Sequence, residues 1–270
     1  MLGDHSTATL ISLLLHDVTD NAAESGFQQP TAQRYKHSTP LFRAYLDAVD
    51  ASGLPVVSAI EADGVRQAAV QFTFDDGGSG ALAAAEMLED RGWRGVFFVT
   101  TDLIGRPGFL TAAQIEDLNQ RGHVIGSHSC SHPDVFRNLT VLQMQYEWNE
   151  SRQVLQDLLC SDVTAASVPG GDISADAIRQ AAAAGYTSVY TSEQTTQPWQ
   201  QAGVRCYGRM AMVQTTSPQT LARWLKYPRA GVLPERLTRL TKTGVKRMIG
   251  PAYRSLMQRR RALHDQQQQQ

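Results

Sequence analysis

Short apolar runs alternate with stretches whose apolar residues return at helical spacing, from residue 8 to about 225. "ATLISLLLHDV" (8–18) predicts a buried strand. "TPLFRAYLDAVDASG" (39–53) predicts a helix capped by Thr39, with Pro40 in its first turn and Gly53 past its end. "LPVVSAI" and "AAVQFTFDD" read as strands, "GALAAAEMLEDRG" as a helix stopped by glycine, and "GVFFVTT" as a strand rich in β-branched and aromatic residues. "LTAAQIEDLNQRG" is a helix with Thr111 as N-cap, followed by the strand "HVIGSHS". A long helix follows over 139–160, with Leu142, Tyr146, Val154, Leu155 and Leu158 at helical spacing. Strand "AASVPGG", helix "SADAIRQAAAAG" and strand "YTSVYTS" come next, and "VRCYGRMAMV" and "SPQTLARWLKY" close the pattern. Such alternation predicts a mainly parallel sheet with helical crossovers, either a barrel or an open doubly wound sheet.

Composition adds limits to that picture. The chain has 270 residues, 42% hydrophobic and 19% charged, enough for a substantial core, and a formal net charge of −1 that argues against nucleic acid as a partner. The charge is unevenly placed. Residues 229–261 carry ten Lys/Arg and one acid, Glu235, so an acidic body, 1–228, is expected to precede a basic extension, 229–270, ending in low-complexity glutamines. Three cysteines without a C-x-x-C pair make a disulfide framework unexpected. No Lys or Arg precedes "TLISLLL" and no apolar stretch is long enough to span a bilayer, so a cytoplasmic protein is expected. The basic extension adds the expectation of peripheral contact with the inner membrane face or with a polysaccharide-assembly partner.

Two short motifs bear the chemistry. In "QFTFDDGGSG", Asp75 and Asp76 end an apolar run, where adjacent carboxylates repel and contribute nothing to folding. Gly77 and Gly78 let the backbone turn sharply, so that neighbouring side chains reach one centre. "GSHSCSHP" supplies His128 and His132 four residues apart, and Cys130 between them is offset from both. Each motif alone reads more simply, as a turn or as two surface histidines. Together, at predicted strand ends, they suit a divalent cation held by two imidazoles and one carboxylate, with the second carboxylate as general base. The donor set favours Zn2+, with Co2+, Ni2+ or Mn2+ also accommodated. The remaining histidines, His5, His37, His123 and His264, lack an acid partner at useful spacing and are expected at the surface.

"TFDDG", then "HSxxHP", then "PGG" resembles the polysaccharide deacetylase family, the carbohydrate esterases with the chitooligosaccharide-deacetylase domain, over roughly residues 8–225. The resemblance implies a distorted (β/α) barrel of seven or eight mainly parallel strands, and hydrolysis of an acetyl group from a sugar. It implies Asp75 as base and Asp76, His128 and His132 as metal ligands, with a metal-bound water as nucleophile. It places an oxyanion donor in the loop Pro169, Gly170 and Gly171, at the Gly170 N–H.

Three departures mark this chain. Where the family carries an arginine ahead of "PGG", this sequence has Ser167, and Arg209 in "CYGRM" is a candidate substitute beside the simpler reading of a surface arginine. The family's Asp-Trp motif is not visible in "YTSVYTSEQ". Its C-terminal Leu-x-x-His is missing, yet Leu13-x-x-His16 stands near the N terminus, as in circularly permuted exopolysaccharide-processing members. That likeness implies His16 as general acid, with Asp17 or Asp20 favouring its charged form. The expected activity is therefore removal of acetyl groups, N-acetyl first, from a sugar or exopolysaccharide intermediate. A metal-dependent hydrolase of a small non-sugar amide and a catalytically silent carbohydrate-binding subunit are the alternatives. Exposed aromatics such as Trp199 would favour a sugar.

Overall fold

The computed structural model describes residues 9–58, 67–171 and 173–231, all within the unit 1–231. The expected basic extension lies outside the described residues apart from 229–231. Among the described residues no helix is long and apolar enough to cross a membrane.

Six strands form successive parallel neighbours: β1 (Leu10–Leu15), β4 (Ala69–Phe74), β5 (Val96–Val99), β6 (Val124–Ser127), β7 (Ala165–Ser167) and β8 (Ser188–Tyr190). Beyond β8 lies β10 (Val204–Tyr207), parallel to it, and beyond that the antiparallel β9 (Trp199–Gln201). On the other flank β11 (Met210–Ala211) pairs in parallel with β1. Since only Gly208 and Arg209 separate β10 from β11, one continuous segment touches both flanks, and the sheet curls on itself into a distorted (β/α) barrel. A separate two-stranded sheet pairs β2 (Asp17–Val18) with β3 (Lys36–His37).

The main sheet has nine strands where seven or eight were expected. The surplus has local causes. The closing segment is broken at Gly208, where a Cβ would lie 2.3 Å from the Glu193 carbonyl, and β9 folds back as a short antiparallel edge.

Alternation along the strands sorts side chains into two faces. Leu10, Ala69, Val96, Phe98, Ala165, Tyr190 and Tyr207 form one buried cluster inside the curl. Tyr190 stacks on Tyr207 at 4.8 Å, and Phe98 lies 5.0 Å from Tyr190. Room for Phe98 comes from Gly126, its partner on β6, where a Cβ would meet the ring at 2.6 Å. The opposite face, including Phe72, Phe74 and Phe97, is also buried.

The helices are α1 (Thr39–Ser52), α2 (Ala81–Glu89), α3 (Ala112–Gln120), α4 (Val141–Leu159), α5 (Ala175–Ala183) and α6 (Pro218–Lys226). Gly53 ends α1 in the left-handed conformation, and Thr111 caps α3 through a reciprocal capping box with Gln114. The N-cap of α1 is Ser38 rather than Thr39, because Ser38 Oγ accepts from Leu41 N while the Thr39 amide donates to Asp20. "LPVVSAI" forms no strand among its described residues: only Val56 bridges β4, at Val70, and Pro55 has no N–H to extend a ladder. In α4 the expected apolar face is corrected too. Leu142 and Tyr146 are 77% and 59% exposed, and the buried stripe runs through Met144, Glu147, Trp148, Ser151 and Leu155. Two polar residues, Glu147 and Ser151, share the inner face and disguise it in the sequence.

Candidate functional site

Parallel strands deliver their C-terminal ends to one rim, where loops are free to carry side chains. His16 follows β1, Asp75 and Asp76 follow β4, His128 follows β6, Pro169–Gly171 follows β7, and Arg209 follows β10. His16, Asp75, Asp76, His128 and His132 share a cleft of about 440 Å³ with Gly170 and Gly171, whereas Pro169 is buried and does not line it.

Asp76, His128 and His132 place one ligand atom each within 4.8 Å of the others. Both imidazole Nε2 atoms face Asp76 Oδ1, at 3.3 Å from His128 and 3.4 Å from His132. His128 Nδ1 lies 3.1 Å from the Ser167 carbonyl, which can only accept, so Nδ1 carries the proton and Nε2 keeps the lone pair that a cation could use. Asp76 Oδ1 is buried with no hydrogen-bond partner. A buried carboxylate oxygen facing two imidazole nitrogens is a donor set that fits a divalent metal. Proton linkage points the same way. Burial would push the Asp76 carboxyl up, but His16, His128 and His132 hold it well below the usual range. Burial would push His132 down, but Asp76 outweighs it and raises the ring's pKa. The backbone here is held in uncommon conformations, with left-handed φ at Asp76 (77°), Ser129 (67°) and His132 (56°).

Asp75 turns the other way. Its two oxygens meet Arg209 in a fork, Nη1 to Oδ1 at 2.7 Å and Nη2 to Oδ2 at 2.8 Å, and Ser167 Oγ donates to Oδ2 at 3.2 Å. Arg209 is fully buried, not at the surface. Its Nε donates to the Thr191 carbonyl, its Nη2 to Ser167 Oγ, and its guanidinium lies 5.6 Å from the Phe98 ring centre. Burial alone would raise the Asp75 pKa, but the Arg209 charge outweighs it and holds the group below the ordinary carboxylate value. Thus Ser167 and Arg209 meet on one carboxylate, although 42 residues separate them.

His16 Nε2 stands 4.0 Å from Asp76 Oδ2, under the Tyr35 ring at 4.5 Å. Its Nδ1 has no hydrogen-bond partner, so neither expected acid orients the ring through one. Asp17 instead accepts from Ser25 Oγ, which also accepts from the Gly80 amide, and burial raises the Asp17 pKa. Asp20 holds the Thr39 amide. This corrects the reading of Gly78 as well. The sharp turn falls on Asp76 and Gly77, and Gly78 is needed because a Cβ there would lie 2.0 Å from Asp17 Oδ1.

Two histidines expected at the surface are buried. His37 packs edge-on to Tyr45, and His123 accepts from the Gly95 amide and faces Glu89 at 2.7 Å. Cys130 stays clear of the ligand cluster, its Sγ 3.1 Å from Asp102 Oδ1. Trp199 lies on the edge strand β9, away from the cleft. The cleft's aromatic residues are Phe27 and Tyr35, from a loop without a recognisable motif; Phe27 packs 4.9 Å from the His132 ring.

Fold and site together define a (β/α)-barrel domain with a carboxylate–bis-imidazole centre and an arginine-held carboxylate beside it. Residues 62–189 match the family model described as Polysaccharide deacetylase, and over that segment the chain is similar to the polysaccharide deacetylase family. The chain is 29% identical over 125 residues to YxkH of Bacillus subtilis (strain 168), a protein named for the same family. That match takes in 46% of this chain and 44% of the relative, so the chain spans less than half the length of the curated relative it matches. Among solved structures it is similar to IcaB from Ammonifex degensii (TM-score 0.69, 20% identity, 81% of this chain and 97% of that one). It is also similar to the Streptococcus pyogenes deacetylase PplD in complex with acetate (TM-score 0.63, 18% identity, 79% and 96%). These likenesses establish the fold. The family match takes in Asp75, Asp76, His128, His132 and Gly170, but neither His16 nor Arg209.

Proposed function

We propose that the protein is a metal-dependent hydrolase that removes acetyl groups from an acetylated carbohydrate, N-acetyl groups of a sugar or exopolysaccharide intermediate in the finer reading. The observation that carries it is the division of labour between adjacent aspartates: Asp76 points at two imidazoles, and Asp75 is gripped by Arg209. Asp76, His128 and His132 would hold the divalent cation, zinc by donor preference, with cobalt, nickel or manganese also suited. Bound there, it supplies Lewis acidity, lowering the pKa of water and drawing charge from a carbonyl oxygen.

The chain's own groups do the rest. Asp75, ionised at neutral pH, accepts the proton of the attacking water. A carboxylate has lone pairs beyond the two that Arg209 engages, so the clamp orients Asp75 without disabling it. His16 on the far side of Asp76 donates a proton to the departing nitrogen. The Gly170 N–H, at the cleft wall, donates to the developing oxyanion. The cleft's volume suits a sugar ring with its acetyl arm, between Phe27 and Tyr35. A cytoplasmic setting and a lipid or assembly contact through the basic extension belong to the same reading. Vesicle co-sedimentation with and without residues 229–270 tests the latter, and equal sedimentation of both forms would remove it.

The decisive experiment is acetate release from a panel of N-acetylglucosamine oligomers by metal-loaded protein. Wild type should release acetate, Asp75→Asn should abolish release, and His16→Ala should reduce it by orders of magnitude. Metal binding without acetate from any sugar would overturn the carbohydrate substrate.

A further inference from the structure

The loop that carries both histidines has little reason to keep its shape. Between His128 and His132 it passes twice through left-handed φ, at Ser129 and His132, with no glycine to make that easy. Its amides are nonetheless all engaged. His128 N donates to the Val99 carbonyl, Ser129 N to Ser127 Oγ, and His132 N to Ser129 Oγ. The two amides at the loop's centre, Cys130 N and Ser131 N, both donate to Glu147 Oε2 at 2.9 Å, and Ser131 Oγ donates to Oε1. Glu147 is a buried carboxylate on the inner face of α4 that the proposed reaction does not use.

We propose that Glu147 is a positioning residue for the metal centre: its carboxylate clamps the apex of the 128–132 loop and thereby sets His132 against His128 and Asp76. The inference rests on the metal-site reading above. Three features distinguish this clamp from ordinary core polarity. It grips consecutive amides with charge-assisted bonds, which are shorter and stronger than neutral ones. It reaches the loop from a different element, 16 residues on from Ser131 and 17 from Cys130. The loop's other face is tied to a single 3-10 turn, Thr101–Leu103, since Thr101 N and Asp102 N donate to the Ser129 and Cys130 carbonyls. The apex is therefore pinned between a helix and the rim of the barrel. His132 alone among the three ligands has no neighbouring strand to fix it, so its position depends on that pinning. Outer-shell partners of this kind typically govern metal affinity by roughly 10–100-fold.

The test is Co2+ titration of metal-free protein, read by chelator competition and by the visible d–d spectrum. Glu147→Ala is expected to bind Co2+ roughly 10–100-fold more weakly, with an altered d–d band. Glu147→Gln, whose amide oxygen can accept from both amides, is expected to recover most of the affinity. Glu150→Ala, on the exposed side of α4, should match wild type. A Glu147→Ala protein with a lowered melting temperature but wild-type Co2+ affinity and spectrum would show a merely structural role and overturn the proposal. If Glu147→Ala does not fold, Glu147→Asp is read by the same criteria, because it keeps the charge but withdraws the carboxylate by one methylene. Wild type that binds no Co2+ would bring down the metal-site reading itself, an outcome distinct from equal binding by wild type and variant.

Discussion

What Asp75 can do is decided by two guanidinium nitrogens. Burial favours the neutral acid, and Arg209 overrides it. Replacing Arg209 with Gln leaves the burial in place and removes the main opposing charge, so the Asp75 pKa should rise. The ionised base would then be lost at a higher pH, moving the acid limb of the kcat/KM profile upward. An unmoved acid limb would separate Asp75 from that titration. Asp75→Asn should abolish turnover while bound metal, measured by atomic emission, stays near stoichiometric; His132→Ala should lose the metal. Chelation should silence wild type, and added Zn2+ should restore it. Local motifs made Asp75, Asp76, His128 and His132 legible in the sequence, since each pair is close along the chain. Arg209 was only a candidate there, because its contact with Asp75 spans 134 residues and arises from barrel topology. Burial of His123 escaped notice for a related reason, its acid partner Glu89 being 34 residues upstream.

Elements were more readable than contacts. Strand and helix periodicities located most of the barrel, and Gly53 and Thr111 marked their helix ends as capping chemistry requires. The face of α4 misled because Glu147 and Ser151 occupy inward positions for hydrogen bonding, while Leu142 and Tyr146 point outward. Gly126 is a sharper instance of a residue with meaning only in the sheet. Alone it looks like a weak point in a strand, but it holds open the space for Phe98, on which Arg209 rests. Gly126→Ala would force a Cβ to within 2.6 Å of the Phe98 ring and 2.8 Å of the Ala165 carbonyl. It should destabilise the fold by about 1–3 kcal/mol in urea unfolding. A midpoint equal to wild type would mean that the ring moves aside freely.

For the molecule as a whole, His37 is one of the groups that tie stability to pH. Burial, and secondarily the charge on His16, pushes its pKa down from 6.5 to about 4. Between those values the unfolded chain binds a proton that the folded one refuses. Stability therefore rises with pH across this window and is lost as pH falls from about 6.5 to 4, by up to about 3 kcal/mol from this group. Urea midpoints measured at pH 7 and pH 5 should differ accordingly, and His37→Phe should flatten the slope; an unchanged slope would assign the effect elsewhere. The strand count belongs to this scale as well. Apolar runs announced the parallel staves, but a two-residue strand such as β11 exists only because β1 is there to pair with it.

The break at Gly208 and Arg209 joins the two flanks of the sheet and also delivers the guanidinium to Asp75. During synthesis the ribosome releases Asp75, Asp76 and both imidazoles well before residue 209. A nascent chain can thus hold both local motifs and still lack the guanidinium that grips Asp75. On the proposed mechanism, the counter-charge for Asp75 arrives only with the closing segment of the barrel.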